Sequence, residues 1–507
     1  MAHTTIKRLG GFAAVSAALI ASLALTPGVA IADSYSTPST PVPDTTVTTG
    51  AETGVLTVEG LVSGDTVYAY RFVESTYTPS SNSLKTVLAS DGYGFTLDQL
   101  AAAGTDTDTV KGYASDVLQN LGNTEVYQSI AGDNGTATIS NLPFGEYLLV
   151  VQHGNTDSTV VYQHTIVNFV PSANDDNSCY VFDAKQIVGI KREDIGESFA
   201  TNGKTVKNDG EWDDLSDDYA TGEWAEFKIE ALVPAYDDDA PTANKTFAIT
   251  DEFPAQLKGV RNIKVTLDSE NGSEVTDLTG LDDNDDATGF TVNLSGENFA
   301  KVASATKVVI TFEARVQENL APNTEYDNTA TLEFSSNPWK TADGGSATDD
   351  ASIKNYGAFL KKVDEDGDAL PGATFKLTKD GQDIATDLVT DANGFVWVTG
   401  LDEGTYTFTE TKAPNGYELA ANPSTNATMV DGDASTGTFK PADSAEIANV
   451  VNFGTMQNVA AVLGGMLPTT GGAGTVALTA AGVVLVEVVV ESRVAVRVVL
   501  VHVLSRK

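Results

Sequence analysis

Lysines, carboxylates and asparagines are the residues of this sequence whose types and spacing can do chemistry together. Lys362 lies in the stretch Phe359–Leu377, Glu410 lies in the stretch Tyr406–Tyr417, and several asparagines follow them. Burial lowers the pKa of a lysine, so that its neutral amine can attack a carbonyl carbon. A carboxyl kept protonated nearby can polarise an amide carbonyl and relay protons while ammonia leaves. Such a set of side chains can form an amide cross-link within one chain.

The stretch Tyr406–Tyr417 (YTFTETKAPNGY) matches the E-box pattern YxLxETxAPxGY at nearly every fixed position, and Phe359–Leu377 resembles the first strands of collagen-adhesin B-type domains. In that family a buried lysine of the first strand condenses with an asparagine of the last strand, and the E-box glutamate catalyses the reaction. The resemblance implies Lys362 as the nucleophile and Glu410 as the catalyst, a pair that titrates as a unit. The acceptor is open among Asn458, Asn452 and Asn449. The alternative is an exposed strand glutamate beside a solvated lysine.

A second set of residues lies earlier in the chain. Phe247–Phe253 followed by Leu257 resembles the "ITD" strand of fimbrial isopeptide-forming domains, and Tyr326–Leu332 resembles their last strand. By analogy, we expect Lys191 of the segment Val188–Lys191 to bond to Asn328, with Asp251 as the catalyst. The alternative places Asp251 in a turn and Asn328 at the cap of a loop.

The segment Tyr180–Gln186 contains an additional lysine of interest, Lys185. Shaft pilins carry a motif like VxVYPKN at this position, and its exposed lysine is the amine that a pilin sortase joins to the next subunit. Here Asp183, Ala184 and Gln186 replace the tyrosine, proline and asparagine of that motif. Its position therefore indicates Lys185 as a pilin lysine, against the alternative of an ordinary surface lysine.

Both ends of the chain carry targeting signals. Lys7-Arg8, an apolar stretch and an A-x-A site ending at Ala32 are typical of a secretory signal peptide, with a short N-terminal anchor as the alternative. Near the C-terminus, a five-residue string resembles the LPxTG sorting signal, in which sortase cuts between threonine and glycine: Leu467, Pro468, Thr469, Thr470 and Gly471. Charges at Glu487, Glu491, Arg493 and Arg497 interrupt the apolar tail that follows, so it is a poor membrane segment.

The elements between these signals are predicted to be strands. Short segments that alternate apolar and polar residues between turn residues indicate an all-β fold of tandem immunoglobulin-like β-sandwich domains in an elongated chain. Helical spacing over Leu97–Leu121 indicates an insertion in the first domain. The expected divisions are 1–32 (signal peptide), 33–177 (N-terminal β domain), 178–353 (isopeptide-forming fimbrial sandwich), 354–465 (collagen-adhesin B-type domain) and 467–507 (sorting signal and tail). We expect no cross-link in the first domain, because its only lysines, Lys85 and Lys111, lie outside an opening strand.

Composition excludes several classes of function. The 30 basic residues stand against 70 acidic ones, a formal net charge of −40, so a phosphate-neutralising surface is missing and we expect no nucleic-acid partner. The single cysteine, Cys179, allows no disulfide within the chain. The four histidines and the acidic runs 282–286 and 364–368 lack the spacing of zinc and EF-hand sites, so we expect no metal and no cofactor. No arrangement for a turnover enzyme is evident.

Taken together, the motifs resemble those of the backbone subunit of sortase-assembled Gram-positive pili. The resemblance implies a chain that is secreted and anchored to the cell wall, in which Thr470 of one copy is joined to Lys185 of the next. The partners it implies are a pilin sortase, a housekeeping sortase, other copies of the chain, tip or minor pilins, peptidoglycan, and a host or matrix ligand that the sequence does not identify. The alternative is a wall-anchored adhesin or minor pilin that does not polymerise.

Overall fold

The computed structural model describes residues 30–32 and 53–461, except for 79–82, 91, 104–106, 122–123, 155–157, 170–171, 174–179, 182–184, 209, 214–215, 237–239, 319, 340–343 and 431–435. Most of the export signal, Cys179 and the Leu467–Gly471 string lie outside the described residues. Within the described part, no helix is both long and apolar enough to cross a bilayer.

The N-terminal part of the chain forms two main sheets. Its strands are β1 (Ala30–Ala32), β2 (Thr53–Glu59), β3 (Thr66–Thr78), β4 (Ser83–Leu88), β5 (Glu125–Ile130), β6 (Thr136–Pro143), β7 (Gly145–Gln152), β8 (Val160–Tyr162), β9 (Thr165–Phe169), β10 (Ser172–Ala173), β11 (Tyr180–Val181), β12 (Lys185–Gly189) and β13 (Arg192–Asp194). One sheet has the order β1-β9-β7-β3-β4, with β5 also paired to β3, and the other has the order β12-β2-β6. Inward residues of β2, such as Leu56 and Val58, alternate with half-buried ones, as the period of a strand requires.

Two helices, α1 (Leu97–Ala103) and α2 (Thr107–Gln119), lie in the stretch predicted to be helical. Leu100 of α1 and Val117 of α2 belong to one buried cluster with Phe72 of β3 and Leu148 of β7. The helices therefore cover an apolar face of the larger sheet.

The boundary after this part differs from the predicted one at residue 178. Strand β12 pairs in parallel with β2, and β13 pairs with β8, so residues 185–194 belong to the N-terminal sheets. The physical reason is the buried side chains of Val188 and Ile190, which pack in the same core cluster as β2.

The middle part is a sandwich of two five-stranded sheets. It contains helix α3 (Ile195–Asn202), short 3-10 helices at Thr242–Asn244 and Gly296–Lys301, and strands β14 (Lys204–Asn208), β15 (Glu211–Asp213), β16 (Ser216–Asp218), β17 (Trp224–Leu232), β18 (Phe247–Glu252), β19 (Leu257–Leu267), β20 (Gly289–Asn293), β21 (Lys307–Val316), β22 (Tyr326–Ser335) and β23 (Gly344–Lys354). The sheet orders are β15-β14-β17-β21-β19 and β16-β23-β22-β18-β20. Strand β17 alternates strictly between buried and half-buried residues, which is the pattern of a strand with one face on a core.

The C-terminal part is a sandwich of two four-stranded sheets. Its strands are β24 (Tyr356–Val363), β25 (Thr374–Lys379), β26 (Gln382–Val389), β27 (Phe395–Leu401), β28 (Gly404–Lys412), β29 (Ser424–Met429), β30 (Thr436–Phe439) and β31 (Ile447–Gln457). The sheet orders are β27-β24-β31-β30 and β26-β25-β28-β29. The first and last strands, β24 and β31, are parallel neighbours. The all-β, immunoglobulin-like fold class predicted from the sequence is confirmed.

Candidate functional site

The C-terminal sandwich buries a lysine in its first strand. Strand β24 is buried along nearly its whole length, and the side chain of Lys362 is 0% exposed. Its register partner in the parallel strand β31 is Met456. The lysine Nζ donates to the carbonyl oxygens of Met456 at 3.0 Å and Val363 at 3.4 Å. Burial lowers the pKa of Lys362 and thus favours the neutral amine, although the nearby Glu410 opposes this shift.

Glu410 and Asn458 meet next to this lysine. Glu410 comes from β28 of the facing sheet and is 2% exposed, and Asn458 follows the end of β31 and is 0% exposed. Asn458 Nδ2 donates to Glu410 Oε1 at 2.6 Å, and the backbone N–H of Ala420 donates to Glu410 Oε2 at 3.1 Å. The Asn458 N–H donates to the carbonyl of Val363, the neighbour of Lys362, at 3.0 Å. Glu410 therefore binds the side-chain amide of Asn458, which is one of the three candidate acceptors.

The other two asparagines lie elsewhere on the last strand. Asn452 is exposed and its Oδ1 accepts the Gly454 N–H at 2.8 Å. Asn449 is exposed, with a φ of 59°. Within the described part of the chain, Asn458 Oδ1 has no hydrogen-bond partner. A buried carbonyl without a donor is costly, and a reacting carboxamide is one explanation for it.

The middle sandwich contains a second buried lysine, carboxyl and amide. Asp251 of β18 and Asn328 of β22 are both 0% exposed and lie on neighbouring strands, so neither has the solvent-exposed place of a turn or cap residue. The lysine that contacts Asp251 is Lys204, the first residue of β14 in the facing sheet, which is 1% exposed.

The structure thus does not bring Lys191 to this site, which corrects the expectation for the amine. Lys191 is half-buried between β12 and β13, where its carbonyl accepts the Gln163 N–H at 3.0 Å. The segment around Lys191 pairs with the N-terminal sheets. Helix α3 follows, and β14 is the first strand of the middle sandwich. A sequence signal for Lys204 exists: Lys204 and Val206 share the buried face of an alternating strand.

Burial shifts the pKa values of Lys204 and Asp251 in opposite directions. The Lys204 Nζ lies 5.3 Å from the ring centre of Phe227 and 5.8 Å from that of Phe312. Burial lowers the pKa of Lys204, opposed mainly by Asp251, and burial raises the pKa of Asp251, opposed by Lys204 and then by Asn328. Both shifts favour a neutral amine beside a protonated carboxyl, which are the forms that amide condensation requires.

The amide of Asn328 completes the second set. Among the described residues, neither Oδ1 nor Nδ2 of Asn328 makes a well-formed hydrogen bond, and Oδ1 of Asp251 also has none. The two sites differ in layout: Lys362 lies on β24 and Asn458 directly follows the neighbouring strand β31 of the same sheet, whereas Lys204 and Asn328 lie on facing sheets. Each arrangement places an amine, a carboxyl and a carboxamide in one dry core.

Lys185 has the exposure that an intermolecular amine needs. It is an exposed residue at the start of β12, where its register partner is Val55 of β2. The preceding Asp183 and Ala184 lie outside the described residues. In the N-terminal sheets, Lys85 is exposed on β4, and nothing is described for the side chain of Lys111. The described residues contain no cluster of His, Cys, Asp and Glu that could hold a metal ion.

Comparisons with known proteins agree with this architecture. A family model described as the SpaA prealbumin-like fold domain matches residues 358–438, which include the E-box strand β28. No curated protein matches the chain.

Solved structures of pilins are similar to the chain over most of its length. The T6 backbone pilin of serotype M6 Streptococcus pyogenes shares 17% identity, with 82% of this chain and 100% of that chain covered and a TM-score of 0.53. The full-length major pilin SpaD from Corynebacterium diphtheriae shares 18% identity, with 81% of this chain and 97% of that chain covered and a TM-score of 0.47. At 17% identity, the similarity to the T6 pilin shows a common fold. The TM-score of the SpaD comparison is too low to support any conclusion.

Proposed function

We propose that this chain is a structural shaft subunit of a covalently polymerised pilus on a Gram-positive cell wall, stiffened by internal Lys–Asn amide bonds. The observation that carries the proposal is the buried set of Lys362, Glu410 and Asn458, in which the acid contacts the amide next to the lysine. The second set, Lys204 with Asp251 and Asn328, repeats the same chemistry in a different sandwich.

The cross-linking step needs no external reagent. Nζ of the lysine attacks Cγ of the asparagine, the new Nζ–Cγ bond forms as the Cγ–Nδ2 bond breaks, and ammonia leaves with a proton from the amine. Glu410 or Asp251 donates a proton to the amide and takes one from the amine, so each carboxyl ends as it began. The chain performs one turnover on itself and is not an enzyme in the usual sense.

Intact mass tests the internal bonds. Each bond removes one ammonia, about 17 Da, so a chain with both bonds is about 34 Da lighter than its sequence mass. Peptide mapping should recover Lys362 joined to Asn458, and Lys204 joined to Asn328. An unshifted mass of the folded, purified protein contradicts both bonds.

Polymerisation rests on three features of the sequence and one of the structure. Sequence resemblance supplies the export signal ending at Ala32, the sorting signal Leu467–Gly471 and the pilin lysine, and the exposure of Lys185 fits the last of these. In this proposal a pilin sortase joins Thr470 of one subunit to Lys185 of the next, and a housekeeping sortase transfers the fibre to peptidoglycan, with tip or minor pilins as further partners. The proposed units of the fibre are the predicted domains, with residues 185–194 reassigned to the first of them.

Immunoblots of wall extracts test the shaft role against that of a single-copy adhesin. A ladder of bands that resists denaturing detergent, and that disappears in Lys185→Ala but persists in Lys85→Ala, supports the shaft. Lys85 is a suitable control because it is also an exposed strand lysine. A single band from the unaltered chain in a host with the pilin sortase contradicts polymerisation and favours the adhesin.

A further inference from the structure

Lys204 is held at two points by the sheet that faces it. Its backbone N–H donates to Asp349 Oδ2 at 2.8 Å, and its Nζ contacts Asp251 Oδ2. Asp349 lies on β23 and Asp251 on β18, with β22 between them. Lys204 therefore contacts β23 through its backbone N–H and β18 through its amine, on opposite sides of β22.

The register of the facing sheet explains this geometry. Asp251 pairs with Ala330, and Ala330 pairs with Asp349, so the three residues form one row across β18, β22 and β23. Residues in one row point to the same face, here the interior. Neighbouring strands lie about 4.8 Å apart, so the backbones of Asp251 and Asp349 are roughly 10 Å apart across the strand that carries Asn328. The residue between them in this row, Ala330, has a small side chain.

The backbone N–H of Lys204 needs a partner at this place. Strand β14 pairs with β17 at Lys204, but its pairing with β15 covers only residues 206–208. The N–H at the start of β14 therefore has no strand partner on that side, and Asp349 accepts its hydrogen bond. The Asp349 carboxylate thus adds a hydrogen bond on the side of Lys204 that β15 does not cover.

We infer that Asp349 is a positioning residue for the cross-linking of the middle sandwich: it holds the backbone of Lys204 so that the lysine amine reaches Asn328. This inference rests on the proposed function, because it needs the Lys204–Asn328 bond to form. Asp349 exchanges no proton in the reaction, and Asp251 remains the carboxyl that does so. A displacement of the reacting atoms by about 1 Å can slow a reaction by roughly 100-fold, which is why an anchor outside the reacting atoms matters.

The acceptor atom of Asp349, rather than its charge, carries this role. The negative charges of Asp350 and Asp349 raise the pKa of Lys204 and so oppose the neutral amine that attacks. An asparagine at 349 keeps an oxygen acceptor and removes the charge. A glutamate keeps the charge and moves the acceptor by one methylene. The two substitutions therefore separate positioning from charge.

The experiment follows bond formation in the full chain made by cell-free translation. Aliquots are quenched in acid and digested, and the Lys204–Asn328 peptide is quantified against the Lys362–Asn458 peptide as an internal reference. Asp349→Asn should form the bond within about twofold of the unaltered rate, whereas Asp349→Ala and Asp349→Glu should be slower by roughly 10-fold or more. Asp350→Ala is the matched control, because it removes the same charge from the neighbouring, exposed residue.

Distinct outcomes overturn the inference and the proposed function. Wild-type rates in Asp349→Ala and Asp349→Glu overturn the inference alone, as does an Asp349→Asn chain that is as slow as Asp349→Glu. Absence of the Lys204–Asn328 peptide from the folded, unaltered chain overturns both the inference and that bond of the proposed function. If Asp349→Ala does not fold, the contrast between Asp349→Asn and Asp349→Glu decides the question.

Discussion

Lys204 and Asp251 contact each other from opposite sheets of the middle sandwich, and both side chains are fully buried. A charged pair at this place would lose its hydration on both partners, and the pKa shifts of both residues oppose ionisation. In the proposed reaction, the shifts favour a neutral amine and a protonated carboxyl beside a third group. That group is the adjacent amide of Asn328, whose polar atoms make no well-formed hydrogen bond among the described residues.

Replacing Lys204 and Lys191 separately by methionine tests which lysine forms the bond in the middle sandwich. Lys204→Met should leave the purified chain about 17 Da heavier than expected for two bonds, because the buried amine is gone. Lys191→Met should retain both bonds, because Lys191 is half-buried in a different set of sheets. Intact mass with correction for each substitution is the measurement. A lost bond in Lys191→Met together with a retained bond in Lys204→Met would contradict the site as described.

Removal of the catalytic acid of the C-terminal sandwich should abolish one bond and leave the other. Glu410→Ala lacks the carboxyl that contacts Asn458, so we expect the Lys362–Asn458 bond to be absent. The Lys362–Asn458 cross-link closes a loop of roughly 100 residues, so its loss should lower the free energy of unfolding by about 4.7 kcal/mol, if it acts through chain entropy as a disulfide does. Mass spectrometry and denaturant unfolding measure the two effects.

Two controls accompany the Glu410 variant. Glu418→Ala removes an exposed glutamate of the same loop region and should change neither quantity. The Lys204–Asn328 bond should persist in both variants, since it lies in a different core. A complete Lys362–Asn458 bond in Glu410→Ala would refute the catalytic role of that acid.

The acceptor of the C-terminal bond can be identified among the asparagines of the last strand. Asn458→Ala should raise the mass by one unformed bond, about 17 Da after correction for the substitution. Asn452→Ala should not, because Asn452 is exposed and bonded to the Gly454 N–H. The same digest that locates the bond in the unaltered chain provides the check, and a bond that disappears only in Asn452→Ala contradicts our assignment.

The contact between the middle and C-terminal sandwiches should depend on pH through Asp218. Its carboxyl accepts the Glu403 N–H, and burial raises its pKa to about 6, with Asp217 and Asp402 adding to the shift. A carboxyl whose pKa is higher in the folded state than in the unfolded state favours folding in its protonated form. Its contribution to stability is therefore present below its unfolded pKa of about 4 and is lost as the pH rises through 6.

Asp218→Asn removes this dependence. The variant should be more stable than the unaltered chain by about 1 to 2 kcal/mol at pH 8, after allowance for partial exposure, and no more stable at pH 4. Urea unfolding at the two pH values measures this difference. Glu403→Gln is a control at the same contact that keeps the backbone N–H donor. Equal effects of Asp218→Asn at both pH values would argue against the titration of this group.

Local patterns in the sequence were enough to predict the strands and two members of one candidate site. Alternation of apolar and polar residues predicts the all-β fold, because the two faces of a strand have different environments. The spacing of the helical stretch 97–121 likewise predicts α1 and α2. Glu410 was predicted from a twelve-residue motif and Lys362 from the resemblance of Phe359–Leu377 to opening strands of a known domain type. Both residues are buried in the same sandwich as Asn458.

Only the tertiary structure decided which lysine and which asparagine enter a core. Lys191 follows an apolar segment and Lys204 does not, yet Lys204 is the lysine that enters the middle core. Pairing of β12 with β2 keeps Lys191 away from that core, and this pairing depends on contacts between residues far apart in the chain. The parallel register of β24 and β31 selects Asn458 over its neighbours in the same way. The row of Asp251, Ala330 and Asp349 joins three strands, and no local pattern contains it. The sequence by itself thus determined which residue types can react, and strand register decided which of them meet, because side chains react only where the fold brings their atoms together in a dry core.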